Sequence, residues 1–268
     1  MPIEPSPFMR QLIELAIEAG EAVMAVYCKD FGHRVKEDST PVTDADLAAE
    51  AVILAGLERI APAVPVISEE AGACGTQSKS GEKFFLVDPL DGTKEFLSRN
   101  GEFTVNIALI EDGAPVAGVV YAPALGRLFW GERGRGAAEG QVAPDGDPAG
   151  SLWRPIQVRA RPRHKLKVVA SRSHLDARTE SWLSTIDVGE LVSAGSSLKF
   201  CLLAAGEADL YPRFGRTMEW DTAAGHSVLS AAGGRVETED GLPLTYGKRA
   251  RGFDNPGFIA SGGQVPKP

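Results

Sequence analysis

Cysteine is scarce in this chain: Cys28, Cys74 and Cys201 are the only three in 268 residues. Three is odd, and no two are spaced as CxxC, so neither a disulfide framework nor a thiolate metal or redox motif is indicated. Net positive charge is lacking too. Lys and Arg total 28 against 36 Asp and Glu, a formal charge of −8. Sequence-independent nucleic-acid binding needs a basic footprint, so no nucleic-acid partner is expected. A small anionic ligand stays open, provided cations gather at its site. No stretch reaches the roughly 18 apolar residues of a spanning helix. Residues Met1 to Arg10 lack the charged-then-apolar pattern of a signal peptide. The expectation is a cytoplasmic protein without a transmembrane segment, with peripheral attachment to the inner membrane left open. Internal repeats and coiled-coil heptads are also absent.

The composition that remains is that of a globular protein, 43% hydrophobic and 24% charged. Ser6 and Pro7 read as cap and first position of a helix whose apolar residues recur from Phe8 to Tyr27, with Gly32 as its stop. A second helix is expected from Thr43 to Pro62, followed by a short strand from Val64 to Ile67. Phe84–Val87 reads as a buried strand ending at Asp88-Pro89. Phe103–Ile110 and Pro115–Tyr121 read as a hairpin, and Leu128–Trp130 as a further strand. From Gly131 to Pro155 glycine and proline are dense, so a long surface loop and a boundary are expected there. Beyond it, strands at Leu166–Ala170, Glu190–Val192, Asp209–Tyr211 and Arg235–Glu237 alternate with helices at His174–Leu183, Ser196–Ala205 and Thr222–Ala232. Phe258–Ala260 closes the list. That alternation predicts layered α/β packing. The division is an α+β half over 1–155 and an α/β half over 156–268.

Chemistry concentrates in Phe84-Phe85-Leu86-Val87-Asp88-Pro89-Leu90-Asp91-Gly92-Thr93. A strand delivers Asp88 at its carboxyl end, where ligands gather in α/β folds. Pro89 and Gly92 turn the chain so that Asp91 and Thr93 start a short helix. Carboxylates so spaced share or bridge hard cations such as Mg²⁺. Glu69-Glu70 follows another short strand, Asp46 lies in Thr43-Asp44-Ala45-Asp46, and Asp221 opens a later helix. Each has a local explanation: a solvated turn, a Thr43–Asp46 capping box, an N-cap. If all converge, like charges need a cation, and a metal centre explains them jointly.

These segments resemble the lithium-sensitive, Mg²⁺-dependent phosphomonoesterases, the family of inositol monophosphatase, fructose-1,6-bisphosphatase and the bisphosphate nucleotidases. Lys36, Pro41-Val42-Thr43-Asp44-Ala45-Asp46, Ser68-Glu69-Glu70, Asp88–Thr93, Trp220-Asp221-Thr222-Ala223-Ala224-Gly225 and Asn255-Pro256-Gly257-Phe258 carry the likeness over nearly the whole chain. It implies a layered αβαβα sandwich with two or three Mg²⁺ at the junction of its halves. The implied ligands are Glu69, Asp88 and the Leu90 carbonyl for one ion, and Asp88, Asp91 and Asp221 for a second. Asp46 and Thr93 would orient and deprotonate the attacking water, with Glu70 holding water beside a metal. Two metals stabilise both oxygens of an in-line displacement.

Within the family the likeness is to the bisphosphate nucleotidases, through Asp91-Gly92-Thr93-Lys94-Glu95-Phe96, Asn100–Asn106, Gly195–Cys201 and Tyr211-Pro212-Arg213-Phe214-Gly215. Inositol monophosphatases typically carry Thr-Asn where Lys94-Glu95 stands, and a sugar-gripping Glu near Arg213. A guanidinium there favours a phosphate. The resemblance implies that Ser196, Lys199 and Arg213 hold the nucleotide and its uncleaved 5'-phosphate. Glu69, Leu90, Asp91, Gly92, Thr93, Lys94 and Asp221 would surround the phosphate that leaves. Ser171 to His174 are further candidates for nucleotide contacts. The implied reaction is adenosine 3',5'-bisphosphate to AMP and phosphate, in sulfur assimilation, with 3'-phosphoadenylyl sulfate as an extension. The alternatives are an inositol or broad sugar phosphatase and a non-catalytic nucleotide-binding protein. The substrate is a small molecule and the protein a monomer or homodimer. Cys201 is expected in the core of its helix and Trp220 beside the site.

Overall fold

The computed structural model describes residues 3–29, 33–35, 41–70, 83–144, 146, 152–160, 165–171 and 176–263. Gly32, Lys36, Cys74, His174 and residues 147–150 lie outside these. So do the side chains of Pro41, Val42 and Thr43, and with them the Thr43–Asp46 capping box.

Helix α1 (Pro7–Tyr27) starts as its sequence dictates. The Ser6 hydroxyl accepts from the Met9 N–H and Pro7 takes the first position. It closes on Cys28, short of Gly32. Strands β1 (His33–Val35) and β2 (Pro41–Thr43) pair antiparallel and lead into α2 (Asp44–Ile60). The main sheet follows with its strands in sequence order: β3 (Val66–Ser68), β4 (Phe84–Asp91), β5 (Thr104–Glu111), β6 (Ala114–Ala122), β7 (Arg127–Glu132), β8 (Gly136–Gln141) and β9 (Arg154–Ile156). Its pairs are antiparallel except β3 with β4. Along β4 the side chains alternate between two buried faces. Phe85 and Val87 pack with Leu12, Ile13 and Ile53 of α1 and α2. Phe84 and Leu86 face the other way, toward Phe200, Ala224 and Val228. Those belong to α5 (Leu198–Ala204) and α6 (Glu219–Ala231).

These two helices are covered in turn by a second sheet. Its order is β11 (Val188–Ala194), β10 (Leu166–Ser171), β12 (Leu210–Arg213), β14 (Phe258–Ser261), β13 (Arg235–Thr238). Val169, Tyr211 and Phe258 point inward to α5 and α6. Val168, Leu210 and Ile259 point outward to Leu183 of α4 (Ala177–Leu183). The layers are therefore α1/α2, main sheet, α5/α6, second sheet, α4: the expected αβαβα sandwich. Cys201 is buried in it, as anticipated. Among the described residues no helix is long and apolar enough to cross a membrane.

Four local expectations are corrected. The span from Gly131 to Pro155 is not one loop, because β7 ends and β8 runs within it. Its glycines answer to packing. A Cβ on Gly131 would stand 2.6 Å from Val228 Cα of α6, and one on Gly140 2.6 Å from the Trp153 ring. Glycine lets helix and sheet backbones approach there. Strand β4 does not stop at Asp88 but runs on through Pro89 to Asp91. Asp88 pairs with Asn106 and Asp91 with Thr104, so three steps on β4 match two on β5. This bulge tolerates a proline, which has no N–H to give the ladder. Helix α4 starts at Ala177 rather than His174, capped by Asp176, whose carboxylate accepts the Thr179 N–H at 2.8 Å. Helix α6 starts at Glu219, so Asp221 is its third residue and not its cap. The Asp221 carboxylate reaches back to accept the Met218 N–H at 2.8 Å.

Candidate active site

A cavity of about 710 Å³ opens where the carboxyl ends of β3 and β4 face the starts of α5 and α6 and the end of β12. Each wall residue arrives by a local device. Strand β3 delivers Glu69. The β4 bulge places Asp88 and Asp91, with the Leu90 N–H donating to Asp88 Oδ1 at 3.1 Å. Gly92 then takes φ +94°, a conformation open to glycine, and turns the chain into the short helix α3 (Thr93–Leu97). Thr93 and Lys94 line the near side of the cavity, and Asp221 enters from the first turn of α6.

Glu69, Asp88 and Asp221 each offer an oxygen within 4.8 Å of the others. Asp88 is 1% exposed. Burial pushes its carboxyl well above the ordinary range, and the charges of Glu69, Asp91, Asp221 and Asp46 push further. Asp221 is raised by burial and then by Asp91 and Glu69, against the pull of the Met218 N–H and Arg213. Burial raises Asp91 as well, opposed by Lys199 and Ser197. Crowded, dehydrated carboxylates of this kind are stable as anions only with a cation among them. Their hard oxygens fit a divalent ion such as Mg²⁺.

Cations line the same cavity. Lys199, 5% exposed, lies over the Tyr211 ring at 5.4 Å from its centre. Its ammonium donates to the Ser196 carbonyl, and at 3.4 Å to that of Ala194. Burial lowers the amine to about 8, with Asp91 opposing that fall. Arg213, also buried, donates through Nη2 to the Arg216 carbonyl at 3.2 Å. Ser196 lines the cavity at φ +42°, its hydroxyl donating to the Glu102 carbonyl at 2.9 Å. It does not cap α5, whose cap residue is Ser197. Ser171 lines the cavity too.

Two sequence candidates stand back from the cavity wall. Asp46 is buried in the first turn of α2, where its charge reaches Asp88, and Glu70 is half-buried beside Glu69. Neither is among the residues lining the cavity. Trp220 packs beside the site against Phe253, as expected. Sequence reasoning assigned Glu102, Asn106 and Ser197 no individual role, although they lie in the Asn100–Asn106 and Gly195–Cys201 segments that carry the resemblance. Glu102 Oε2 accepts the Gly195 N–H at 2.8 Å and so holds the turn before α5 against the loop after α3. A Cβ on Gly195 would stand 2.6 Å from the Glu102 carbonyl, which is why a glycine is there. The one available signal was a polar Asn106 inside the apolar run of β5.

The sequence profile of the inositol monophosphatase family matches residues 4–260. A protein of Salmonella typhimurium named 3'(2'),5'-bisphosphate nucleotidase CysQ is 48% identical over 253 residues, covering 93% of this chain and 98% of its own. The crystal structure of CysQ from Bacteroides thetaiotaomicron superposes with a TM-score of 0.80 at 37% identity, over 96% of this chain and 97% of that one. An inositol monophosphatase from Anabaena gives a TM-score of 0.74 at 28% identity, over 96% and 90%.

Proposed function

The chain belongs to the inositol monophosphatase family, and from that premise we propose that it is a metal-dependent 3'(2'),5'-bisphosphate nucleotidase. It converts adenosine 3',5'-bisphosphate to AMP and phosphate, and the same site admits 3'-phosphoadenylyl sulfate. The observation that carries this reading is one cavity lined by both signs of charge: the Glu69, Asp88 and Asp221 cluster, and Lys199 with Arg213. An inositol phosphate presents one anion and a ring of hydroxyls. A bisphosphate presents two anions and gives both groups a partner.

In this reading Glu69, Asp88 and the Leu90 carbonyl would hold one Mg²⁺, and Asp88, Asp91 and Asp221 would hold a second. When bound, such ions acidify water and stabilise charge on the entering and leaving oxygens of an in-line displacement. The chain's own residues supply order and proton transfer. The Thr93 hydroxyl accepts the proton of the attacking water as its own passes to the buried Asp46 carboxylate, since a threonine alone is too weak a base. Glu70 keeps a water oriented beside Glu69, and that water gives a proton to the departing ribose 3'-oxygen. Lys199 and Arg213 grip the 5'-phosphate, with the Ser196 turn and Lys94 closing the cavity around the nucleotide.

The test is phosphate release from adenosine 3',5'-bisphosphate and from inositol 1-phosphate, side by side, with Mg²⁺ and with Mg²⁺ plus Li⁺. The reading expects a strong, lithium-suppressed preference for the nucleotide, and expects Arg213→Ala to remove that preference. A preference for inositol phosphate keeps the metal chemistry and discards the role given to Lys199 and Arg213. No release from either overturns the enzyme reading.

A further inference from the structure

Asn106 is out of character with its strand. It is buried in β5 between Val105 and Ile107, with Ala108 beyond them. An apolar side chain there would need no partners, whereas a buried amide costs stability unless every polar atom is bonded. Asn106 is not fully bonded. Its Oδ1 is buried and without a partner among the described residues. The other end of the amide explains the arrangement. Nδ2 donates to Ser197 Oγ at 3.0 Å and points at Asp91 Oδ2, 3.4 Å away. An ionised carboxylate only accepts, so the donor end must face Asp91 and the oxygen is left over.

Ser197 is equally out of character. It occupies the N-cap of α5, the position where a serine hydroxyl ordinarily accepts a backbone N–H of the first turn, yet it makes no such bond. Its hydroxyl donates instead to the Asp221 carbonyl, at 2.8 Å. A directed chain results, from the Asn106 amide to the Ser197 hydroxyl to the Asp221 carbonyl. It joins three elements far apart in sequence: β5, which is paired to the carboxylate strand β4; the start of α5, two residues before Lys199; and the first turn of α6. Ser197 forgoes the cap bond its position offers, and Asn106 leaves its own Oδ1 unpaired, while each makes a bond across the site.

We propose that Asn106 and Ser197 are a positioning pair, which ties Asp91 to the first turn of α6 at Asp221 and holds the start of α5 in register with them. The metal roles of Asp91 and Asp221 are those of the preceding section, and the inference rests on that reading. Neither residue of the pair need touch substrate. With the bridge removed, α6 and β4 are free to relax apart under the mutual repulsion of their carboxylates. Lys199 and Arg213 keep their own contacts, so substrate capture suffers less than turnover.

The experiment uses the full chain as wild type, Asn106→Leu, Ser197→Ala and the double variant. Leucine nearly matches the shape of asparagine, and alanine removes a single oxygen. Three quantities are read: Mg²⁺ affinity by titration calorimetry, kcat and KM for the bisphosphate, and melting temperature without metal. The expected result is a weakening of Mg²⁺ affinity and a fall in kcat, each about tenfold, in either single variant. KM stays within about twofold and the metal-free melting temperature does not fall. The double variant is no worse than the poorer single, because both changes break one chain. Unchanged Mg²⁺ affinity in the single variants would overturn the proposal, as would losses that multiply in the double variant or that merely track a lower melting temperature. Should Asn106→Leu fail to fold, Ser197→Ala carries the same expectations by itself. Mg²⁺ binding needs no turnover, so a wild type that ignores the bisphosphate yet binds Mg²⁺ in an Asn106-dependent way refutes the nucleotidase reading and leaves the pair standing.

Discussion

Replacing Lys199 with methionine keeps the packed stem over Tyr211 and deletes the charge. In the metal-free protein burial holds the amine at about 8 in place of the ordinary 10.5. At about 1.4 kcal/mol per tenfold change in proton affinity, charging this buried amine costs the folded state about 3 kcal/mol. The folded value lies below the unfolded one, so the unfolded chain binds the proton more tightly. The cost is full below pH 8 and disappears as pH rises from 8 to 10.5. Loss of the bonds to the Ser196 and Ala194 carbonyls offsets about 1–2 kcal/mol of the gain. Lys199→Met is therefore expected to be more stable than wild type at pH 7 by about 1–2 kcal/mol, or about 2–6 °C in a chain of this size. By pH 10 the advantage vanishes or reverses. Catalysis moves the other way. A charge-assisted bond to a phosphate is worth about 1.5–3 kcal/mol, so kcat/KM for the bisphosphate falls roughly 10- to 150-fold. Inositol 1-phosphate, with no second anion, changes by less than about threefold. Thermal melts from pH 6 to 10 and paired kinetics read both effects. A variant less stable than wild type at pH 7, or one equally damaged on both substrates, refutes the argument that Lys199 is held dehydrated for an anion.

Three further outcomes follow from the same geometry. Asp221→Asn removes a proposed ligand and a repulsive charge together, so turnover drops by several kcal/mol in barrier, about a thousandfold, while the metal-free protein melts higher than wild type. Asp88 and Asp221 are raised by burial and by their neighbours' charge. Their folded values exceed the unfolded ones, so the metal-free protein loses stability as pH climbs from about 4 through those raised values, and Mg²⁺ at a hundred times its Kd returns about 2.7 kcal/mol; melts at pH 4 to 8 with and without Mg²⁺ measure this. Gly131→Ala sets a Cβ 2.6 Å from Val228 Cα and costs about 1–3 kcal/mol in urea unfolding, with α6, and hence Asp221, displaced.

Periodicity and caps made most elements legible. Ser6-Pro7, the α1 face, the β5–β6 hairpin and the strand–helix alternation after Leu166 all lie where local chemistry puts them. Two of the four misreadings, the Gly131–Pro155 loop and the strand stop at Pro89, share a cause: glycine and proline were read as punctuation. Gly131 and Gly140 are strand residues that yield space to Val228 and Trp153, and Pro89 sits inside a bulge. Those pressures come from segments distant in the chain, which no local window contains. The candidate site shows the same division. Glu69, Asp88, Asp91 and Asp221 were visible as acids at element ends, and the fold brings three of them within 4.8 Å. Asn106 and Ser197 were not singled out, because their meaning lies in one hydrogen bond across 91 residues.

In the proposed reading one cavity holds the two phosphates of a nucleotide in fixed roles, the 3'-phosphate among the carboxylates and the 5'-phosphate between Lys199 and Arg213. Identifying the product of adenosine 3',5'-bisphosphate turnover by phosphorus NMR tests it most directly. The expected products are adenosine 5'-monophosphate and one equivalent of inorganic phosphate, with no further release. Adenosine 3'-monophosphate as product, or continued hydrolysis to adenosine, would contradict it.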